Sequence, residues 1–367
     1  MGEPLRVGVI GVGNISAQYF ASFPRLPGLR LVAVADMNEQ RAREVAAEQG
    51  VQALTVDELL AVPDVDVVLN LTIPAAHVEV GTRALRAGKH VFAEKPLGLS
   101  VDEARPMLEL AASLGLRVGS APDTVLGTGV QTARQVLDAG TVGAPVSANA
   151  VWSAPGHERW HPAPAFFYQP GGGPLLDMGP YYLTALVTLL GPVTRVSGVG
   201  RRSTRERAIA TGPSSGTTIP IDIDTTVTAV LEHASGPFST LTVSFDRWAT
   251  KAPMPLFELY GETGTIAVPD PNRFDDPVEV FESASGEWRT VEPSGGYAEA
   301  ARGYGLADLA RAVETDRPHR ASGDLALHVL EIMDAVAASS STGRAVDLST
   351  TTSRPDAVPA GVTPSTW

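Results

Sequence analysis

"RVGVIGVGNIS", residues 6–16, is a short apolar run that breaks at Gly11-Val12-Gly13 and passes straight into a helix-forming stretch. A strand that ends on glycine and feeds a helix is the opening of a βαβ unit. Gly11 permits the tight turn, and Gly13 lets the backbone come close to a pyrophosphate, which the free N–H groups of the helix start can hold. Ser16 stands where the usual pattern has a third glycine, so the motif needs its context. The context begins at Leu29–Ala35, a second apolar run closed by Asp36. A carboxylate at that strand end can accept from both hydroxyls of a ribose. It also repels a 2′-phosphate, which favours NAD, while Arg41 and Arg43 nearby leave NADP open.

The alternation continues. Helical patterns at 38–49 and 75–87 and at the Ser100/Glu103 capping box separate apolar runs at 65–71, 90–93 and 116–119. Apolar strands spaced by helices predict a doubly wound parallel sheet covered on both faces. Beyond about residue 121 the texture changes. One helix (130–139) and a strand (146–152) lead into a Gly/Pro-rich stretch and a helix expected over 177–190. Residues 201–220 read as a long polar loop. Six strands then follow without intervening helices, joined by turn sequences such as Gly261-Glu262-Thr263-Gly264. The expected architecture is α/β: an N-terminal doubly wound domain at 1–122, then an α/β domain with a large open, mostly antiparallel or mixed sheet at 123–348. A mobile Thr/Pro/Ser-rich tail is expected at 349–367. No internal repeat is visible.

Composition narrows the function classes. A formal charge of −13 opposes binding to a phosphate backbone, so no nucleic-acid partner is expected. The chain has no cysteine, which removes thiolate chemistry, disulfides and Cys-ligated metals. No window approaches the roughly 18 apolar residues of a membrane span, and the N-terminus enters a strand without a signal-like segment. A cytoplasmic protein is the expectation.

"GHERWHPAP", residues 156–164, contains the letters of the zinc motif H-E-x-x-H. That motif works only on a helix, where i and i+4 imidazoles reach one metal. Pro155 and Pro162 bracket this string, so no metal site is expected. A loop over a substrate mouth fits better. Trp152, His157, Trp160, His161 and Tyr182 then become candidates for sugar contact, because aromatic faces suit C–H surfaces and imidazoles bond hydroxyls. His157 or His161 is also a candidate acid/base.

Glu94-Lys95-Pro96 sits at a parallel strand end, where open α/β sheets place ligands. Downstream, "GGGPLLDMGPYY" (171–182) carries three glycines, with Asp177 read as a helix start and Tyr181 one turn later on the same face. With Gly11–Ser16, Asn70-Leu71-Thr72-Ile73-Pro74 followed by His77, Ala93–Pro96, Gly171–Gly173 with Asp177, and Gly261–Thr265, the chain resembles the Gfo/Idh/MocA oxidoreductase family over nearly its whole length. The resemblance implies an N-terminal Rossmann domain and NAD(P)-dependent hydride transfer to or from a secondary alcohol of a sugar, polyol or cyclitol. It assigns the cofactor to Gly11, Gly13, Asn14, Ile15, Asp36, Thr72, Ile73, Pro74, His77, Glu94, Lys95 and Pro96. In the family, the lysine matching Lys95 touches the nicotinamide ribose and the substrate hydroxyl, and the aspartate matching Asp177 holds the substrate. The family's usual acid/base histidine is replaced here by Tyr181. Lys95 would favour a Tyr181 phenolate, so Lys95, Asp177 and Tyr181 form the expected catalytic set. Three alternatives stand beside this: a non-catalytic sensor, an NAD-retaining glycosidase, and a reductase of a non-sugar carbonyl or diol. Exposed strand faces suggest a homo-oligomer.

Overall fold

Hydrophobic patterning organises residues 3–364, which the computed structural model describes, into two units with separate cores. The first takes the residues up to Thr128, Gly295–Leu330, and those from Pro355 onward. Its sheet has strands β1 (Leu5–Ile10), β2 (Leu29–Ala35), β3 (Gln52–Leu54), β4 (Val67–Asn70), β5 (His90–Ala93) and β6 (Val118–Ser120). They lie in the order β3-β2-β1-β4-β5-β6, all parallel. Val7, Val9 and the whole of β4 are buried, as strands covered on both faces must be.

The connecting helices are α1 (Ser16–Phe20), α2 (Glu39–Gln49), α3 (Val56–Ala61), α4 (His77–Arg86) and α5 (Val101–Leu114). The Asn38 side chain accepts from Arg41 N–H to cap α2, and left-handed Gly50 ends it. Helix α1 spans only five residues. After Phe20 the chain makes a separate 3-10 turn at Phe23–Arg25, with Pro24 in it.

The second unit comprises Gly129–Ser294 and Glu331–Arg354. After α6 (Thr128–Asp138) it is built on β7 (Pro145–Ser153), α7 (Gly173–Leu190), β8 (Val193–Arg201), a hairpin of β9 (Arg207–Ala208) and β10 (Thr218–Ile219), and β11 (Thr226–His233). Strands β12 (Phe238–Ser244), β13 (Leu256–Gly261), β14 (Gly264–Ala267), β15 (Val278–Glu282) and β16 (Glu287–Val291) follow. Nine strands pair in the order β16-β15-β14-β13-β7-β12-β11-β8-β17, where β17 is Val346–Asp347. Only β7 with β12 is parallel, so the sheet is mixed. Helix α7 packs on β7, β11 and β12.

Three expectations change. The stretch 201–220 is not one loop: its start completes β8, and β9 and β10 pair within it. The C-terminal helix α8 (Tyr304–Thr315) and α9 (Gly323–Thr342) as far as Leu330 join the first unit, so a simple cut at 122 does not describe it. The segment from Ser349 is docked rather than mobile as far as Pro364. Glu331 accepts from Ser349 and Thr350, Arg354 bonds Thr188 and Asp138, and Val358 is fully buried. Residues 365–367 lie outside the described part.

Candidate active site

Parallel strands end at one edge of a sheet, so the loops after β1, β2, β4 and β5 share an edge of the first unit. Gly11 turns there with φ +94°. A Cβ on it would come within 2.7 Å of the Leu71 carbonyl, so no other residue fits. Gly13 has open space where its Cβ would be, and Asn14 is exposed beside it. Ser16 replaces the third glycine without harm: its buried hydroxyl donates to Gly13 O at 2.7 Å. The Asp36 carboxylate is set by two backbone donors, Val12 N–H and Asn38 N–H, both at 2.8 Å. It retains lone pairs for further donors. These residues fit a dinucleotide: an open glycine face for the pyrophosphate and an oriented carboxylate for the ribose.

His77 joins the next two loops. Its Nδ1 lies 2.7 Å from Pro96 O and its Nε2 3.0 Å from Thr72 O. Burial outweighs these carbonyls and pushes the imidazole below its ordinary pKa. His77 is thus a strut between loops. Asn70 secures the same region, donating to His77 O and accepting from Thr72 N–H and Oγ1–H. Pro74 opens the short turn before α4, and Ile73 is exposed. Glu94 is buried. One oxygen accepts from Tyr19 OH at 2.7 Å and the other from the Lys95 backbone N–H at 3.0 Å. Glu94 therefore positions Lys95, whose peptide bond to Pro96 is cis.

In the second unit, α7 starts at Gly173 with Pro174 in its first turn, so Asp177 is already inside the helix and is not its N-cap. The triple glycine wraps the chain's own backbone. A Cβ on Gly172 would sit 2.3 Å from Phe166 O. The reversal presents the 157–168 segment to Asp177. His157–Arg159 is a single 3-10 turn, and the segment is not an α-helix. His157 Nε2 meets Asp177 Oδ2 at 2.9 Å, while the Trp160 indole N–H donates to His157 Nδ1 at 3.2 Å. Indole nitrogen only donates, so Nδ1 must carry a lone pair, and the imidazole proton sits on Nε2 facing the carboxylate. Among the described residues no group of three or more His, Cys, Asp or Glu is arranged to hold a metal.

Aromatic rings surround this pair. Trp152, Phe167 and Phe245 meet the His157 ring at centroid distances of 6.1, 4.4 and 4.5 Å. Trp160 and Phe166 are 60% and 54% exposed and form an accessible aromatic rim. His161 packs edge-on against Trp160, Phe166 and Phe167, and its Nδ1 accepts from Ala163 N–H. Burial pushes its pKa down. Tyr181 is buried one turn beyond Asp177. Tyr182 does not belong with the sugar-contact candidates. It is fully buried, donates its hydroxyl to Asp270 at 3.0 Å, and is driven to high pKa by burial and by that carboxylate. Glu158, Tyr168 and Arg207, which brace the His157 segment, escape notice in the sequence. The lone hint is the pair Arg205 and Arg207 within a Ser/Thr/Gly-rich stretch.

Comparison with known proteins agrees with both halves. Residues 5–121 match the model described as "Oxidoreductase family, NAD-binding Rossmann fold", and residues 130–267 match the GFO/IDH/MocA C-terminal domain. The trans-1,2-dihydrobenzene-1,2-diol dehydrogenase of Bos taurus is 31% identical over 246 residues, 65% of this chain and 68% of that one. The 1,5-anhydro-D-fructose reductase of Ensifer adhaerens is 30% identical over 178 residues, and the match spans 47% of this chain and about half (53%) of the relative. A solved NAD-binding oxidoreductase from Klebsiella pneumoniae superposes with TM-score 0.80 at 23% identity, covering 94% of this chain and 99% of that one, a likeness of fold. With the glycine turn, the Asp36 carboxylate and the Glu94-Lys95-Pro96 loop carried on a matching NAD-binding domain, and Asp177 on a matching C-terminal one, the chain belongs to the GFO/IDH/MocA oxidoreductase family.

Proposed function

We propose that the protein is an NAD-dependent oxidoreductase acting on a secondary alcohol of a sugar, polyol or cyclitol, or on the corresponding carbonyl. The observation that carries this reading is the His157–Asp177 pair, held in one tautomer by Trp160 and rimmed by aromatic faces. A secondary alcohol gives up its carbinol hydrogen only as its O–H proton leaves, so the protein must supply a proton acceptor and a positive charge. Bound NAD supplies the hydride acceptor. Asp177 accepts the hydroxyl proton. His157, with its proton on Nε2, holds and orients that carboxylate. The positive charge is the part that the family resemblance assigns to Lys95, on the loop after β5. His161 has Nδ1 engaged as an acceptor, so its Nε2–H is a donor for a second substrate hydroxyl. Trp160 and Phe166 offer faces to the C–H side of a ring. In this reading Tyr181 borders the site, and Asp177, oriented by His157, takes the acid/base part of the family's missing histidine.

NAD is favoured over NADP. Asp36 repels a 2′-phosphate, and the nearby cations are already engaged: Arg41 with Glu44 at 3.6 Å and Arg43 with Glu39 at 3.2 Å. The open face of the nine-stranded sheet exposes Val199, Val230 and Phe238, which supports self-association, to be checked by sedimentation.

A panel of sugars and cyclitols scored for NADH and NADPH formation tests the assignment. Steady NADH formation with at least one member is the expected result. Release of a leaving group without net NADH would favour the glycosidase alternative. Binding without any turnover across the panel would favour a sensor.

A further inference from the structure

The turn that bears His157 and Trp160 is gripped by the β9–β10 hairpin. Ala210 N–H donates to Glu158 O at 2.8 Å, and Thr211 Oγ1–H donates to Trp160 O at 3.2 Å. Arg207 lies at the root of this hairpin and is fully buried. Its Nη1 donates to both Glu158 oxygens, at 3.2 and 3.3 Å, and to the Tyr168 hydroxyl at 3.3 Å. Its Nη2 pairs with Asp246. Its guanidinium carbon stands 4.8 Å from the Tyr168 ring centroid. Tyr168 completes the link: its hydroxyl donates to Glu158 and accepts from His157 N–H at 3.0 Å.

A buried ion pair is a poor source of stability, because desolvation offsets most of the attraction. Its use is geometric. A planar fork that must satisfy two carboxylates at once allows one orientation, where an apolar side chain would allow several. Arg207 fixes Glu158 directly and the His157 backbone through Tyr168, without touching either the His157 ring or Asp177.

We propose that Arg207 is the positioning residue of the His157–Asp177 pair, acting through Glu158 and Tyr168 to keep His157 Nε2 on the Asp177 carboxylate. The proposal rests on the reading of that pair as the proton-handling site. The test separates the two. Full-length protein carrying 15N-labelled histidine is examined by NMR, with the His157 ring assigned by its loss in His157→Asn. His233 is the internal control for folding. It lies in the same unit, with Nδ1 on Gly191 O and Nε2 on Ser239 Oγ. Native protein should show His157 in a single neutral tautomer with the proton on Nε2. Arg207→Met and Tyr168→Phe should leave the His233 signals in place and average His157 between tautomers. Both should lower kcat at least tenfold on the best substrate of the sugar panel, with KM for NAD unchanged. Arg207→Lys should not rescue, since one ammonium cannot span Glu158 and Asp246.

An unchanged His157 signature in both variants would overturn the proposal. So would loss of the His233 signature alongside it in both, which would make Arg207 a stability residue of the whole unit. If the NMR result is as expected but His157→Asn and Asp177→Asn turn over normally, the positioning role stands and the proton-handling assignment fails.

Discussion

Asp177 and His157 illustrate how much a single hydrogen bond decides. They are 20 residues apart, and although the sequence makes each a site candidate, no local periodicity pairs them. The expected catalytic set paired Asp177 with Tyr181 because i and i+4 positions share a helix face, a local rule that holds on α7. The competing partner arrives from a loop, through a chain reversal that two positive-φ glycines and the close approach at Gly172 make feasible. Asp177→Asn removes the proposed proton acceptor but keeps the shape, so kcat should fall by about 10²–10⁴-fold while the Kd for NAD holds, measured by turnover and by NADH fluorescence. Tyr181→Phe should retain most activity; a loss equal to that of Asp177→Asn would return the role to the tyrosine. At the cofactor end, Asp36 was readable from sequence because its place at the end of β2 is a property of the strand. Asp36→Ala should raise the KM for NAD by about 10–100-fold, the worth of charge-assisted hydrogen bonds to two hydroxyls, and should narrow discrimination against NADP. An unchanged NAD:NADP ratio of kcat/KM would count against its role.

Elements were legible where one period runs cleanly. β2 and β5 fall on the residues expected, and α2 ends on its glycine, because apolar runs and caps are local signals. β8 was not legible: its alternation of Val, Ser, Gly and Arg leaves only Val193 and Val196 buried, a weak pattern for an outer strand. The docked C-terminal stretch was misread for a different reason. Thr, Ser and Pro look mobile by composition, yet a carboxylate awaits them on α9. Glu331 accepts from Ser349 N–H and Oγ–H and from Thr350 N–H, and against the burial that would raise it this donation lowers its pKa from the ordinary 4.5 to about 2. A folded value below the unfolded one means that the contribution is complete above about pH 4.5 and fades as the pH falls toward about 2. Glu331→Gln should therefore lose stability relative to the parent at pH 6 and converge with it at pH 2, followed by urea unfolding across that range. Parallel curves for the two proteins at every pH would show that the docking does not depend on this charge.

At the scale of the whole chain, the family's two halves were visible in sequence, but the chain's path between them was not. A boundary near residue 122 is natural where βαβ texture stops. The first unit nevertheless depends on residues much later in the chain. Asp123 is wholly buried, accepts from Gly303 and Gly305 N–H at 2.9 and 3.1 Å, and pairs with Arg302 at 3.5 Å. Ser120 N–H, on the edge strand β6, donates to Ala321 O. Arg320 in turn holds Asp308 and the carbonyls of Asp356 and Ala357. No periodicity can announce such couplings, and those of Asp123 and Ser120 bridge some 180 to 200 residues. A fragment ending at Thr128 keeps all six strands of the parallel sheet but strips β6 of its cover and leaves the Asp123 carboxylate without its donors. Losing the partners of a buried charge costs on the order of 3–5 kcal/mol, a large share of what a domain of this size commands. The fragment should therefore lack a cooperative urea transition by circular dichroism and should not bind NADH, whereas the full chain shows both. A fragment that unfolds cooperatively and binds NADH would show that the N-terminal sheet is self-sufficient, and that α8 and the docked tail are additions to a domain already complete.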